Sequence, residues 1–401
     1  MESLLPVLHA AARSAASSLF MVAPLYQCLI FGKPSPEQVA AFSVAITKAM
    51  DDFGLKPVEH FSITEGFGDA FVETVPAVAV FFGTEAPKLP EHANLLRLSI
   101  PVIPLVSKVA NVSIELPECL WPLNALALAA DDVSLVKPAG VALQCLGLLP
   151  AQRRVFVSYR RTESRDAAVQ LFEELSARQF DVFLDTHSVG VATDFQAMLW
   201  HRLCDSDVVV MLDTPGFFES RWTRIEWGRA IDKYISILQV LWPGHKASRY
   251  SALATPMSLV DGDIEDGKLT DAIVESIALK VEVLRSKSVA LRHANITGHL
   301  RSSMERMGGS VEGVGQRRSI LLRMPSGIPL VAHPSVGVPT AVTLHDAVRD
   351  GDPRQTILVY DHVGLSEQWM SHLGWLGANF NTVKWIRSRE AGWDLSGLEG
   401  V

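Results

Sequence analysis

Between residues 154 and 241, short apolar runs alternate with segments of helical periodicity, and this alternation limits the possible folds more than any other feature of the chain. The apolar runs lie at 154–158, 180–185, 207–212 and 235–241. Between the first two runs, apolar side chains recur at helical spacing at Ala168, Leu171, Phe172 and Leu175. Strands that alternate with helices form a parallel sheet covered on both faces, and such sheets bind ligands at the carboxyl ends of their strands. We therefore predict an α/β fold with a candidate site at that edge.

The segment 220–227 brings an aromatic ring and a carboxylate together directly after the third predicted strand. Trp222 and Glu226 are four residues apart, which puts them on one face of a helix. Taken alone, this spacing is better explained by an amphipathic helix whose Glu226 is a surface charge paired with Arg221 or Arg229. The surrounding motifs favour a functional role instead.

Four motifs occur in the order and spacing of a known family. They are the run Phe156-Val157-Ser158-Tyr159-Arg160-Arg161, the strand end Phe183-Leu184-Asp185, the pair Asp194-Phe195, and residues 220–226. With these motifs, residues 153–245 resemble a TIR domain of the bacterial kind, over roughly a quarter of the chain. The resemblance implies a flavodoxin-like domain with a parallel sheet.

In TIR domains that consume NAD, the glutamate at the position of Glu226 is the catalytic residue, so the resemblance implies cleavage of the bond between nicotinamide and ribose. Nicotinamide leaves as a neutral group from a cationic ring and needs no general acid, so one carboxylate suffices to stabilise or trap the oxocarbenium-like transition state. NAD+ would then be a substrate, and neither a cofactor nor a metal ion is implied.

The expected substrate contacts come from the same motifs. Arg160 and Arg161 suit the pyrophosphate, although a basic pair after a strand is equally often a solvated turn. The rings of Phe156, Tyr159, Phe195 and Trp222 suit the two bases, and the full set of predicted substrate-binding residues is Phe156, Ser158, Tyr159, Arg160, Arg161, Asp185, Phe195 and Trp222. The loop after Asp185 keeps Gly190 but lacks the Pro-Gly pair of many relatives, so its own contacts with substrate stay open between Asp185 and Asp194.

Composition and charge narrow the class of protein. The 401 residues carry a net charge of −8, which argues against wholesale nucleic-acid binding. The four cysteines show no C-x-x-C spacing and are typical of reduced, buried residues in a cytoplasmic protein without a metal site. Residues 14–32 lack charged side chains, but their serines, Gln27 and Pro24 favour a helix followed by a buried strand over a membrane span.

Two further α/β units flank the TIR-like region. Residues 1–148 contain apolar runs at 25–31, 78–82 and 100–105, and a helix that begins at Ser35-Pro36. The order of these elements fits either a divergent repeat of the TIR-like fold or an unrelated Rossmann-like layer, and no W-x-x-x-E motif accompanies it. We predict the TIR domain at 150–290, with residues 243–266 as a loop and a closing helix from Lys268 towards His293 whose basic continuation is solvated.

Residues 291–401 are predicted to form the third unit, with a hairpin of 320–323 against 328–332, a buried strand at 356–361 and a further strand at 382–386. Asp361 and His362 follow the buried strand, where an α/β sheet binds ligands. These two residues suit either a small-molecule sensor site or, more simply, a helix cap and a turn.

The resemblance to TIR domains implies a bacterial NAD+ glycohydrolase that acts as an antiphage or stress effector. The enzyme would be activated by self-association of its TIR domain into a homo-oligomer, in response to a small-molecule or protein trigger, without a membrane or nucleic-acid partner. Two alternatives stay open. A non-catalytic TIR scaffold would use the same fold for association only, and a TIR cyclase would make a cyclic ADP-ribose-type signal.

Overall fold

The computed structural model describes residues 24–128, 134–184, 193–219, 228, 230–248, 251–349, 355–379 and 383–398. Over these residues, three five-stranded sheets follow one another along the chain, and helices pack against them. The predicted α/β class is confirmed. No helix in the described part of the chain is both long enough and apolar enough to cross a membrane.

The first unit is a parallel sheet of β1 to β5, with strand order β2-β1-β3-β4-β5. Its strands are β1 (Tyr26–Gly32), β2 (Phe61–Glu65), β3 (Ala77–Phe82), β4 (Val102–Val106) and β5 (Leu126–Ala127). Its helices are α1 (Pro36–Asp51), α2 (Pro57–His60), α3 (His92–Arg97), α4 (Val112–Glu115) and α5 (Val136–Cys145). The predicted helix start is confirmed, because the Ser35 hydroxyl accepts from the Gln38 amide, and the Gln38 side chain accepts in return from the Ser35 amide.

The second unit is a parallel sheet with strand order β10-β9-β8-β6-β7. Its elements are β6 (Arg154–Ser158), α6 (Arg161–Ala177), β7 (Asp181–Leu184), α7 (Thr193–Asp205), β8 (Val208–Asp213), β9 (Ser236–Leu241) and β10 (Thr255–Ser258). Both sheets have the flavodoxin-like order in which the first strand lies between the second and the third. This shared order is the one that a repeat of the same fold requires.

Residues 243–266 are not only a loop, as the sequence predicted. They contain β10, which extends the second sheet beside β9, and β11 (Ile264–Glu265), which pairs with β12 (Lys268–Leu269). The sequence signal is absent because β10 is an edge strand with mostly exposed side chains. β10 is defined by its hydrogen bonds to β9 and not by a pattern of hydrophobic side chains.

One helix, α8 (Asp271–Met307), runs from the second unit into the third. It extends well beyond the predicted end near His293, and Gly308 ends it with a φ of 87°. The predicted domain boundary at residue 290 therefore falls inside a continuous helix. Val274, Ile277 and Val281 pack in the core of the second unit, and Ile296, Leu300 and Met304 pack in the core of the third.

The third unit is a mixed sheet with strand order β13-β14-β15-β16-β17. Its elements are β13 (Ser310–Val314), β14 (Ile320–Arg323), β15 (Pro329–Ser335), α9 (Ala341–Arg349), β16 (Gln355–Tyr360), α10 (Glu367–Asn379), β17 (Val383–Arg387) and α11 (Ala391–Ser396). The antiparallel pairing of β14 with β15 confirms the predicted hairpin, while β15, β16 and β17 are parallel. Single 3-10 turns lie at Val109–Asn111, Glu118–Leu120, Pro150–Gln152, Phe217–Glu219, Gln316–Arg318 and Ser388–Glu390.

The basic face of α8 is not solvated throughout, and here the sequence-based expectation is wrong. Arg285 is fully buried and Arg292 is only 5% exposed, because both face neighbouring units. Arg285 Nη2 lies 2.9 Å from Glu282 Oε1, and the fully buried Arg153 lies 2.7 Å from Glu282 Oε2. A buried carboxylate thus compensates two buried guanidinium groups, which charge patterning along one helix does not reveal.

This cluster also connects the first unit to the second. The Tyr26 hydroxyl on β1 donates to Glu282 and accepts from Arg285 Nη2 at 2.7 Å. The Arg153 guanidinium lies 4.6 Å from the ring centre of Phe53 and 4.1 Å from that of Phe180. The Glu282 cluster, defined as Tyr26, Arg153, Glu282 and Arg285, therefore ties the first sheet, the second sheet and α8 together.

We predict that Glu282→Ala lowers the free energy of unfolding by about 3–5 kcal/mol, because it leaves two buried arginines without their carboxylate. Urea denaturation followed by circular dichroism measures the change. The matched control is Glu275→Ala, an exposed glutamate on the same helix, which should leave stability within about 0.5 kcal/mol of the parent. A similar small effect for both variants would contradict the role of the cluster.

The same cluster predicts how stability depends on pH. Burial raises the pKa of Glu282, but the attraction of Arg285 and Arg153 outweighs it and lowers that pKa to about 2. Because the pKa is lower in the folded than in the unfolded chain, the stabilisation is complete above about pH 5 and is lost as the pH falls towards 2. Glu282→Gln should flatten this part of the curve of unfolding midpoint against pH.

Candidate active site

The carboxyl ends of β6 and β8 form the edge at which a flavodoxin-like sheet binds ligands. Ser158 ends β6 and is 4% exposed, and Tyr159 follows it and is 3% exposed. Both lie at the predicted edge, but their side chains are buried, and Tyr159 packs in the core of the second unit. The sequence located the edge but did not reveal this burial.

The Phe156 ring has a core position. It is fully buried and stacks on Phe183 with ring centres 5.4 Å apart and an angle of 28° between the planes. Leu203, Val209 and Met211 belong to the same buried cluster. A ligand would contact this ring only after those neighbours moved. Phe156 is therefore a core residue that packs beneath the strand edge.

Arg160 is the predicted site residue with the most defined surroundings. Its Nη1 lies 2.8 Å from Glu163 Oε1, and its Nη2 lies 2.9 Å from Glu219 Oε2. The Gly216 amide donates to Glu163 Oε2 at 3.2 Å. This Arg160 cluster, formed by Arg160, Glu163, Gly216 and Glu219, joins the end of β6 to the turn after β8.

Gly216 leaves the space that the Arg160 side chain occupies. A Cβ atom added at Gly216 would lie 1.1 Å from Arg160 Nη1 and 2.6 Å from Glu163 Oε1. Since both contacts are with flexible side-chain ends, a larger residue there would displace Arg160 without blocking the backbone. Glycine at this position thus sets where the guanidinium lies.

Several predicted site residues lie outside the described part of the chain. These are Asp185, Trp222 and Glu226, together with Gly190 of the loop. Phe195 lies in α7, and only its backbone is described. Arg161 is the first residue of α6 and is exposed. Among the predicted residues whose side chains are described, Ser158, Tyr159, Arg160 and Arg161 lie together between the end of β6 and the start of α6.

A buried polar cluster at the ends of β8 and β9 was missed by the sequence analysis. Gln239 Nε2 donates to Asp213 Oδ2 at 2.6 Å and to Ser251 Oγ at 2.8 Å. His245 Nε2 lies 3.3 Å from Asp213 Oδ1. Burial raises the pKa of Asp213 despite the opposing effects of Gln239 and His245. The one sequence signal was Gln239, a polar residue inside an apolar strand.

One comparison with known proteins identifies the family of the second unit. Residues 155–269 match the family model described as TIR domain. No curated protein sequence matches the chain. Two solved structures show a faint overall likeness, the tagatose-6-phosphate ketose/aldose isomerase from Escherichia coli at 12% identity and a putative phosphosugar isomerase from Silicibacter pomeroyi DSS-3 at 14%. They cover 70% and 72% of this chain and 86% and 91% of their own, with TM-scores of 0.20 and 0.17.

We predict that Asp213→Asn stabilises the protein at pH 7 by roughly 1 kcal/mol, because a neutral amide keeps the bond from Gln239 without a buried charge. The raised pKa of Asp213 means that its carboxyl group favours folding at low pH and that this contribution is lost as the pH rises through the folded-state pKa. The advantage of the asparagine should therefore shrink towards pH 3 in urea denaturation. A less stable variant at pH 7 would show that the ionised carboxylate is needed.

Proposed function

The middle of this chain, residues 155–269, is a TIR domain, and we propose that it cleaves NAD+ between nicotinamide and ribose. The observation that carries this proposal is the four-residue spacing of Trp222 and Glu226, which follow in sequence directly after Glu219 of the Arg160 cluster. Glu219 ends the turn that Arg160 contacts, and the Trp222–Glu226 pair follows within the next residues.

Glu226 is the proposed catalytic residue. The nicotinamide ring of NAD+ is positively charged and departs as a neutral molecule, so the reaction needs no proton donor at the leaving group. Positive charge develops on the ribose instead, and a carboxylate beside it stabilises that charge or forms a short-lived ester. Water then completes hydrolysis to ADP-ribose.

Arg160 is the proposed contact for the pyrophosphate. Its two carboxylate partners are partly exposed, and exposed ion pairs contribute only about 0–1 kcal/mol each, so a doubly charged pyrophosphate can replace them. The guanidinium fork matches two phosphate oxygens. Arg161 and Trp222 complete the proposed inner contacts, while Ser158, Asp185 and Phe195 stay candidates for the ribose and the bases.

The alternatives differ in what happens to NAD+. A TIR scaffold would leave NAD+ unchanged, whereas a cyclase would release nicotinamide and join the ribose to the adenine instead of to water. The four-residue spacing of Trp222 and Glu226 in the sequence favours an enzyme over a scaffold. The product mixture separates hydrolase from cyclase.

We also propose that the protein acts as a bacterial antiphage or stress effector and that its TIR domain self-associates. In this proposal, a second copy would complete the site by reorganising the loop that the sequence predicts at 186–193. Activity per molecule should then rise with protein concentration. A constant specific activity with a monomer at every concentration would contradict this.

Glu226→Gln should lower the rate of nicotinamide release by about 10²–10⁴-fold, because it removes the transition-state carboxylate. The matched control is Glu173→Gln, which changes an exposed glutamate on α6 and should keep the parent rate. Circular dichroism verifies that both variants are folded. Parental activity of Glu226→Gln would disprove the catalytic assignment.

Gly216→Ala should raise the KM for NAD+ by roughly tenfold, since displacing Arg160 weakens a charge-assisted contact of about 1.5–3 kcal/mol. The kcat should change less, because Arg160 is proposed to bind the substrate in ground and transition states alike. Gly140→Ala on α5 is a suitable control, because a Cβ there meets no atom within 4 Å among the described residues. An unchanged KM for Gly216→Ala would argue against pyrophosphate binding by Arg160.

A further inference from the structure

A cavity of about 260 Å³ lies between the second and third units, away from the Arg160 cluster. Its walls include Lys233 just before β9, Arg292 of α8, and residues at the carboxyl ends of three parallel strands. These strand-end residues are Val336 after β15, Asp361 after β16 and Arg389 after β17. The cavity therefore occupies the edge of the third sheet at which α/β proteins bind ligands.

Two of the lining cations are buried without a carboxylate partner. Lys233 is 4% exposed, and its Nζ donates to the backbone carbonyl groups of Asp361 at 3.3 Å and Val363 at 2.8 Å. Arg292 is 5% exposed and donates to the carbonyl groups of Ser206 at 2.8 Å and Val336 at 2.6 Å. Within the described ranges, neither side chain forms a direct ion pair, although the Asp207 and Asp361 carboxylates act on Arg292 from farther away.

A third cation faces the only acid of the cavity wall. Arg389 Nε lies 3.4 Å from Asp361 Oδ1, and its side chain is 39% exposed. The described lining thus holds three cationic side chains, Lys233, Arg292 and Arg389, and one acidic side chain, Asp361. Removing such charges from water without a counter-ion is unfavourable, and a bound anion offsets this penalty.

We propose that this cavity binds a small phosphorylated molecule, with the phosphate group beside Lys233, Arg292 and Arg389. A phosphate supplies up to two negative charges and several acceptor oxygens, which match one ammonium and two forked guanidinium groups. The volume lies below the usual range of about 300–1,000 Å³ for drug-sized ligands, so it suits a mononucleotide or a sugar phosphate and is too small for a dinucleotide such as NAD+.

The ligand would bridge two units. Lys233 and Arg292 belong to the second unit and α8, whereas Asp361 and Arg389 belong to the third unit. Lys233 comes a few residues after Glu226 in the sequence, and occupancy of the cavity would fix Lys233 against the third sheet. An effect of the ligand on NAD+ cleavage rests on the proposed function, but binding of the ligand does not.

Isothermal titration calorimetry on the full-length protein tests the proposal, with AMP and inorganic phosphate as probes and adenosine as the uncharged control. We expect AMP to bind at one site that Arg389→Gln weakens at least tenfold, while adenosine does not bind there. Asp361→Asn should bind AMP more tightly, because it removes the only negative charge and keeps an oxygen that accepts from the Val363 amide.

Two control variants identify the site. Lys287→Gln removes an exposed positive charge from the same helix, α8, and should leave AMP affinity unchanged. Gly216→Ala, which alters the Arg160 cluster, should also leave it unchanged. Failure of AMP and phosphate to bind at millimolar concentration would overturn the proposal, as would equal affinities of the parent and Arg389→Gln or weaker binding by Asp361→Asn. These outcomes do not depend on whether the protein cleaves NAD+.

Discussion

The carboxylate of Glu282 is the interaction on which the arrangement of the three units depends. It is 2% exposed, and it holds two fully buried guanidinium groups that belong to different parts of the chain, Arg153 before β6 and Arg285 on α8. Tyr26 brings the first sheet into the same cluster. Since α8 continues into the core of the third unit, one charged cluster and one helix connect all three sheets, and a cut at residue 290 would divide the element that joins them.

This arrangement places the two candidate sites at the edges of two different sheets. The Arg160 cluster lies at the carboxyl end of β6, and the cationic cavity lies at the carboxyl ends of β15 to β17. Both positions follow from the geometry of parallel strands. The first sheet has the strand order of the second without its W-x-x-x-E motif, which is consistent with a repeated fold of which one copy is proposed to carry the reaction.

Local sequence patterns predicted most strands and the start of α1. Features that depend on contacts between distant residues were missed. Apolar runs located eleven of the fifteen strands in the three sheets but missed β2, β5, β10 and β13, and the Ser35-Pro36 start located α1. The edge strand β10 was missed because its pairing with β9 defines it. The burial of Arg285 and Arg292 was missed because periodicity shows that they share a helix but not which residues face them. At the candidate site, motifs identified Arg160, whereas its partner Glu219 and the space at Gly216 depend on the fold.

The TIR domain is proposed to cleave NAD+ with a single carboxylate, that of Glu226. The most direct test is to incubate concentrated full-length protein with NAD+ and to separate the products by liquid chromatography with mass detection. Free nicotinamide should accumulate together with an equal amount of ADP-ribose, or of a cyclic product in its place if adenine is the acceptor. Intact NAD+ after incubation with folded, self-associated protein would contradict the proposed cleavage and favour a non-catalytic TIR scaffold.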